Sequence, residues 1–245
     1  HKNSQGYFDP AIMPMTAAWG FADSNLSPMT ELPSQRLLQD WSQHRPRLSD
    51  LTLRDHTVSS LRQDLQIDLG AIAKGYALDL AIQQLQREGI TQASLNLGGQ
   101  VLLIGNSLPT SITEVKIQSP RTNTFLGRVT LKSGESISTS GDYWRNNIVN
   151  GRTIHHLLDP HTGSPVSHTQ AVTVIANSGV LADAASTALM AAGPERWPAV
   201  ARALGIQEVL RIDSIGNIQV TASLHARLRL TPETLSHHSI QIVTL

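Results

Sequence analysis

The sequence contains no cysteine among its 245 residues. That excludes disulfides, thiolate catalysis and cysteine-based zinc sites. The absence suits an oxidising compartment and many cytosolic proteins alike. Neither sign of charge is in excess: 19 Lys and Arg balance 19 Asp and Glu. With no basic surplus to hold nucleic acid or an anionic membrane, any bound anion must be met by local groups. No apolar run approaches the ~20 residues that cross a bilayer. No stretch reads as a secretory signal peptide. The P-loop pattern GxxxxGK[ST] is missing, as are short-period repeats and low-complexity linkers. The chain opens on His1, in the polar stretch "HKNSQGYFDP", and a processed or truncated chain is expected.

What is present describes a globular protein. Hydrophobic residues make up 40% and charged residues 16%, enough for a sizeable core in one large domain or two small ones. Up to about Ser60 the chain is expected to be irregular, apart from a helix in "LPSQRLLQDWSQ". "VSSLRQDLQIDLG" predicts a turn and a short strand ending at Asp68. Residues 70–88 give the clearest helix, with Leu78, Ala81, Ile82 and Leu85 on one stripe and Gly89 as its stop. "ASLNLGGQVLLIG" predicts a buried strand broken at Gly98-Gly99. Short strands follow in "EVKIQSP", "GRVTLKSGESISTSG", "GRTIHHLLDP" and "AVTVIAN". An Ala-rich helix ends at Gly193-Pro194, and a second helix in "PERWPAVARALG" stops at Gly205. "VLRIDSIGNIQVTAS" reads as a hairpin. Strands in series with few helices between them predict an α+β fold.

Four stretches carry possible chemistry. In "LADAASTALMAAG", Asp183 and Thr187 are four apart on an otherwise apolar helix, so both oxygens meet one point. Hard cations such as Mg²⁺ take oxygen ligands and few carboxylates. The same pair also suits a threonine bonded back to its helix and an acid favoured by the helix dipole. In "IDLGAIAKGYALD", Asp68 ends a strand and Lys74 starts a helix, where phosphates bind, though a plain strand-to-helix turn reads the same way. "TIHHLLDPHTGSPV" gathers His155, His156, Asp159 and His161. On a strand, His155 and His156 face opposite sides, so a shared metal is not expected. One histidine facing a cleft can serve as a general base, or be structural. "ISTSGDYW" offers hydroxyls and a glycine that can bind phosphate or cap a helix.

Taken in order, "GYFDPAIMPMTAAWGF", "IDLGAIAKGYALD", "NLGGQVLLIG", "STSGDYWR", "HHLLDPHTGSPV" and "VTVIANSGVLADAASTALMAAG" resemble the FAD:protein FMN transferase family, the ApbE-type flavin transferases. The resemblance covers nearly the whole chain. It implies an α+β architecture built from T-fold-like units, as a single domain over 1–245 that lacks the segment such proteins carry before "FDP". It implies an Mg²⁺-dependent enzyme that cleaves the pyrophosphate of FAD. FMN would pass to a Thr or Ser hydroxyl of a target protein, such as a subunit of a redox membrane complex, with release of AMP. Asp183 and Thr187 match the metal ligands, and Ala71 the position lending a backbone carbonyl. Tyr7, Phe8, Asp9, Asp68, Lys74 and Leu158 match flavin-nucleotide contacts. His156 matches the histidine of the His-x-x-Asp-Pro motif and is our candidate for taking the acceptor's proton. The resemblance also implies export to the periplasm, often with a lipid anchor. Two other functions share these features: an FAD pyrophosphatase giving FMN and AMP, and a flavin-binding protein without turnover.

Overall fold

A computed structural model of the chain describes residues 1–23, 31–106 and 109–245. Part of the irregular first region, residues 24–30, lies outside the described residues. Short helical turns at Pro10–Ile12 and Met13–Ala18 (α1) open the fold, followed by α2, Gln35–His44. A hairpin pairs β1 (Leu51–Arg54) with β2 (Thr57–Ser60), and α3 spans Ala73–Arg87. Next come β3 (Ala93–Leu97), β4 (Gln100–Ile104), the short α4 (Thr110–Thr113), β5 (Glu114–Gln118) and β6 (Phe125–Thr130). The chain continues through β7 (Ser136–Gly141), β8 (Asn146–Val149), β9 (Arg152–His155) and β10 (Thr169–Ala176) to the long α5, Gly179–Ala203. It closes with β11 (Glu208–Asp213), β12 (Ile218–Thr221), α6 (Ala222–His225), β13 (Arg229–Leu230), α7 (Pro232–His237) and β14 (Ile240–Val243).

Among the described residues the largest sheet has seven strands in the order β14-β12-β11-β10-β7-β4-β3. The alternation of β10 sorts its side chains to two faces. Val172 and Val174 pack with Ala185, Leu189, Met190 and Trp197 of α5. Ala171 and Ile175 face the other way, into a second cluster with Ile117 of β5 and Leu126 and Val129 of β6. The result is an α+β layout with α3 and α5 on one face of the sheet and a smaller sheet, β13-β6-β5, on the other.

Four expectations change. The region up to Ser60, expected to be irregular apart from one helix, also holds the hairpin β1–β2. No strand ends at Asp68; residues 61–69 run as irregular chain, and the Asp68 N–H donates to the Pro10 carbonyl at 2.7 Å. Without a neighbouring strand, extended sequence has no ladder to join. The buried strand at "ASLNLGGQVLLIG" is two antiparallel strands, because Gly98 (φ 58) and Gly99 (φ 89) reverse the chain in a two-residue turn. Finally, β9 stops at His155, so residues 156–158 continue outside a strand.

One close approach sets the position of the helix that carries Asp183. A Cβ on Gly75 of α3 would lie 2.1 Å from the Gly179 carbonyl oxygen of α5, and one on Gly179 would lie 2.5 Å from the Gly75 oxygen. Only glycine permits this crossing. Asp79 locks it: its carboxylate accepts from the Gly179 N–H at 2.7 Å, the Val180 N–H at 3.0 Å and the Ser178 hydroxyl at 2.8 Å. A carboxylate at the start of α5 also complements the helix dipole. Gly75→Ala should therefore destabilise the fold by ~1–3 kcal/mol or more, since backbone must shift to admit the methyl. Denaturant unfolding checks this, and an unchanged midpoint would contradict it.

Candidate active site

The ten residues that the family resemblance assigns to the site line one cavity of about 370 Å³, while His155, Asp159 and His161 lie outside its lining. Its walls come from the first turns of the chain, the turn before α3, the end of β7, the segment after β9, and α5. Tyr7, Phe8 and Asp9 come from the first turns of the chain, Asp68, Ala71 and Lys74 from around the start of α3, His156 and Leu158 from the segment after β9, and Asp183 and Thr187 from α5.

Asp183 is 2% exposed yet fully engaged. One carboxylate oxygen accepts from Lys74 Nζ at 2.8 Å and the other from the Gly75 N–H at 3.1 Å. Gly75 lies in the first turn of α3, where a backbone N–H has no partner within the helix. Asp183 fills that vacancy and so ties α3 to α5. Thr187 Oγ1 lies 3.0 Å from Ser140 Oγ, which is 2.8 Å from Ser186 Oγ. Among the described residues no three His, Cys, Asp or Glu side chains gather in metal-binding fashion. Any cation here relies on one carboxylate with hydroxyl and carbonyl oxygens, a donor set for a hard ion.

His156 is held by its surroundings. Its ring stands edge-on to Phe21 at 6.2 Å, and Nδ1 lies 3.3 Å from the Arg145 carbonyl oxygen. A carbonyl only accepts, so Nδ1 carries the proton and Nε2 keeps the lone pair. Burial pushes its pKa down to about 4, so the ring is neutral at physiological pH. His155 turns away as expected, with Nε2 2.6 Å from the Val166 carbonyl oxygen and Nδ1 accepting from the Leu157 N–H.

The depressed value has a sign that can be tested. The ordinary pKa is 6.5 and the folded one about 4, so protonation favours the unfolded chain. The contribution of neutral His156 is complete above the ordinary value and drains as pH falls toward the folded one. Its ceiling is about 3 kcal/mol. Comparing unfolding of the wild type and His156→Gln at neutral pH and near pH 4 isolates it. The wild type should lose up to that much more stability than the variant, and parallel pH profiles would contradict the assignment.

The remaining residues divide into wall and frame. Tyr7 packs against His161 with its ring tilted, 4.5 Å between ring centres, and His161 Nδ1 lies 3.2 Å from Asp159. Asp9 borders the cavity, but its Oδ1 accepts from the Ala11 and Leu48 N–H groups, both at 3.1 Å. Burial raises its pKa. Asp68 turns one oxygen back to the Gly70 N–H at 2.7 Å. Leu158 is buried among Met15, Trp19, Phe21 and Trp41. The indoles of Trp19 and Trp41 donate to the Gly163 and Pro160 carbonyls, fixing the loop after Leu158. Sequence reasoning missed Asp79, Gly75, Arg145 and Ser140. Arg145 ties the wall together by donating to the Phe21 and Asp23 carbonyls at 3.1 and 2.8 Å. All four lie inside stretches quoted for their motifs, but no spacing rule marks them.

With this geometry in place, comparison identifies the class. A sequence model of the ApbE family matches residues 1–210, and the chain belongs to that family. It is 41% identical over 228 residues to the FAD:protein FMN transferase of Rhodobacter capsulatus, covering 92% of this chain and 42% of that protein. It is 32% identical over 213 residues to the FAD:protein FMN transferase of Escherichia coli K12, covering 83% of this chain and 59% of that protein. The chain therefore spans roughly half the length of these curated relatives. Its fold matches the crystal structure of an ApbE protein from Thermotoga maritima with a TM-score of 0.80 at 30% identity, over 92% of this chain and 73% of that one. The flavin transferase ApbE from Vibrio cholerae matches with a TM-score of 0.76 at 28% identity, over 92% and 72%.

Proposed function

We propose that this chain is a flavin transferase that takes FMN from FAD and attaches it to a Thr or Ser hydroxyl of a target protein, releasing AMP. One observation carries the reading: a buried carboxylate, a hydroxyl, a lysine and a neutral histidine border a single cavity in a chain of this family. Its relatives are FAD:protein FMN transferases, which supplies the substrate.

The residues suit a divalent cation. Asp183, Thr187 and Ala71 border the same cavity and can offer carboxylate, hydroxyl and carbonyl oxygens, and the Lys74 ammonium now balances the Asp183 charge. The Lys74 side chain is 38% exposed, so it has room to release Asp183. We assign Mg²⁺ to these three; when bound, it would offset charge on the pyrophosphate oxygens.

The rest is done by the chain's own groups. Tyr7, Phe8 and Leu158 give the cavity apolar surface for a flavin nucleotide. Lys74 supplies a point charge for phosphate. The acceptor hydroxyl loses its proton to His156 Nε2 as its oxygen bonds to the FMN phosphorus. The pyrophosphate P–O bond breaks and AMP departs. In-line placement and charge stabilisation are most of what phosphoryl transfer requires. An anion beside His156 raises its pKa from about 4 toward the useful range.

The same reading places the protein in the periplasm or anchored to the membrane outside the cytoplasm, where a chain without cysteine has no thiol to oxidise. Among the described residues no helix is long and apolar enough to cross a membrane. Cell fractionation tests this, and a gene product confined to the cytoplasm would contradict it. The transferase itself is tested with FAD, Mg²⁺ and a threonine peptide from a flavinylated protein. Transfer adds the mass of FMN to the peptide. FMN and AMP with an unmodified peptide would make it a pyrophosphatase, and intact FAD a binding protein.

A further inference from the structure

The geometry points to Ser140 and Ser186 as positioning residues that aim Thr187 at the cation, an inference that rests on the Mg²⁺ reading above. The odd feature is on β7. Ser136, Ser138 and Ser140 share the face toward α5, where the neighbouring strand β10 offers valines. Ser138 and Ser186 are buried at 2% and 0% exposure. Buried hydroxyls in that position call for a specific partner.

Their hydrogens can be assigned by counting, since each hydroxyl has one. Ser186 Oγ lies 2.9 Å from the Asp183 carbonyl oxygen, which has no hydrogen, so Ser186 must donate there. Ser186 and Ser140 are 2.8 Å apart, and the shared hydrogen must then come from Ser140. Ser140 and Thr187 are 3.0 Å apart, and that hydrogen must come from Thr187. Ser138, at 3.5 Å from Ser186, is too distant to compete. The chain runs one way, Thr187 to Ser140 to Ser186 to the backbone of Asp183. Thr187 has therefore spent its hydrogen and offers only lone pairs to the cavity. That suits a cation and repels an oxyanion, so phosphate finds no direct donor at Thr187. Groups that orient metal ligands in this manner are typically worth ~10–100-fold in metal affinity.

The test is titration of the full chain with Mn²⁺ alone, followed by the loss of the free-ion electron paramagnetic resonance signal. Ser140→Ala should weaken Mn²⁺ binding by ~10-fold or more, because Thr187 then keeps a hydrogen free to turn toward the ion. Ser140→Thr should restore it, and Ser138→Ala should bind as the wild type does. Thermal unfolding without metal accompanies each variant, so loss of fold is separated from loss of aim. If Asp183→Ala abolishes Mn²⁺ binding while Ser140→Ala leaves it unchanged, the positioning role is overturned and the cation site stands. If the wild type binds Mn²⁺ no better than Asp183→Ala, the cation site itself is overturned, and the positioning role with it.

Discussion

Asp183→Ala should abolish Mg²⁺-dependent FAD cleavage. This is the largest loss expected from any single substitution. Asp183 is the one carboxylate that α5 brings to the cavity, and a hard cation left with hydroxyl and carbonyl oxygens has lost its charged ligand. Alanine does a second thing: it strands the Gly75 N–H, which is buried and donates to Asp183. An orphaned buried donor costs ~1–3 kcal/mol. Asp183→Asn keeps an acceptor for that N–H and removes only the charge. The two variants should be equally inactive, with Asn the closer to wild type in stability. Turnover in Asp183→Asn with an ordinary Mg²⁺ dependence would overturn the metal assignment.

His156→Ala should slow single-turnover FMN transfer by ~10²-fold or more while the FAD dissociation constant changes little, since a base acts in the transition state and not in ground-state binding. His155→Ala provides the comparison. His155 holds the Val166 carbonyl and the Leu157 N–H, so its loss should show in stability and spare the chemical step. If His155→Ala slows transfer as much, or if His156→Ala acts only through FAD affinity, His156 is a structural or binding residue. A base would then be sought at Asp183 or in a bound water.

How much of this was legible in the sequence differs by region. The helices read well where burial is one-sided: Leu78 and Ile82 of α3 are buried and Leu85 half-buried as their stripe implies, while Ala81 on the same stripe is exposed. The Ala-rich helix broke where its glycine and proline said it would, with Gly193 at φ 72. The hairpin β1–β2 was missed: Leu51 and Leu53 do alternate with polar residues in β1, but the strands have four residues each and the turn at Asp55-His56 carries no glycine or asparagine to mark it. The strand expected at Asp68 failed for another reason: its pattern was apolar, but no neighbour pairs with it. Short-range pattern also says nothing of β14 lying parallel to β12, since such a pairing is decided by the whole sheet.

In the cavity, the ten residues that the family resemblance assigned to the site all line one space. What spacing did not reveal is how each is held. The Gly75–Gly179 crossing, the Asp79 clasp and the direction of the serine chain depend on contacts between segments about a hundred residues apart or nearly fifty apart. Nor did spacing separate frame from wall: Asp9 borders the cavity while its Oδ1 serves backbone N–H groups.

The central claim is tested most directly by one mass measurement on an acceptor peptide. The purified chain is incubated with FAD, Mg²⁺ and a peptide bearing the threonine of a flavinylated protein, beside Asp183→Asn and a reaction lacking Mg²⁺. The account predicts that the wild type adds the mass of FMN to the threonine and releases an equal amount of AMP, and that neither control does. An unmodified peptide beside consumed FAD, or equal labelling by Asp183→Asn, would contradict it.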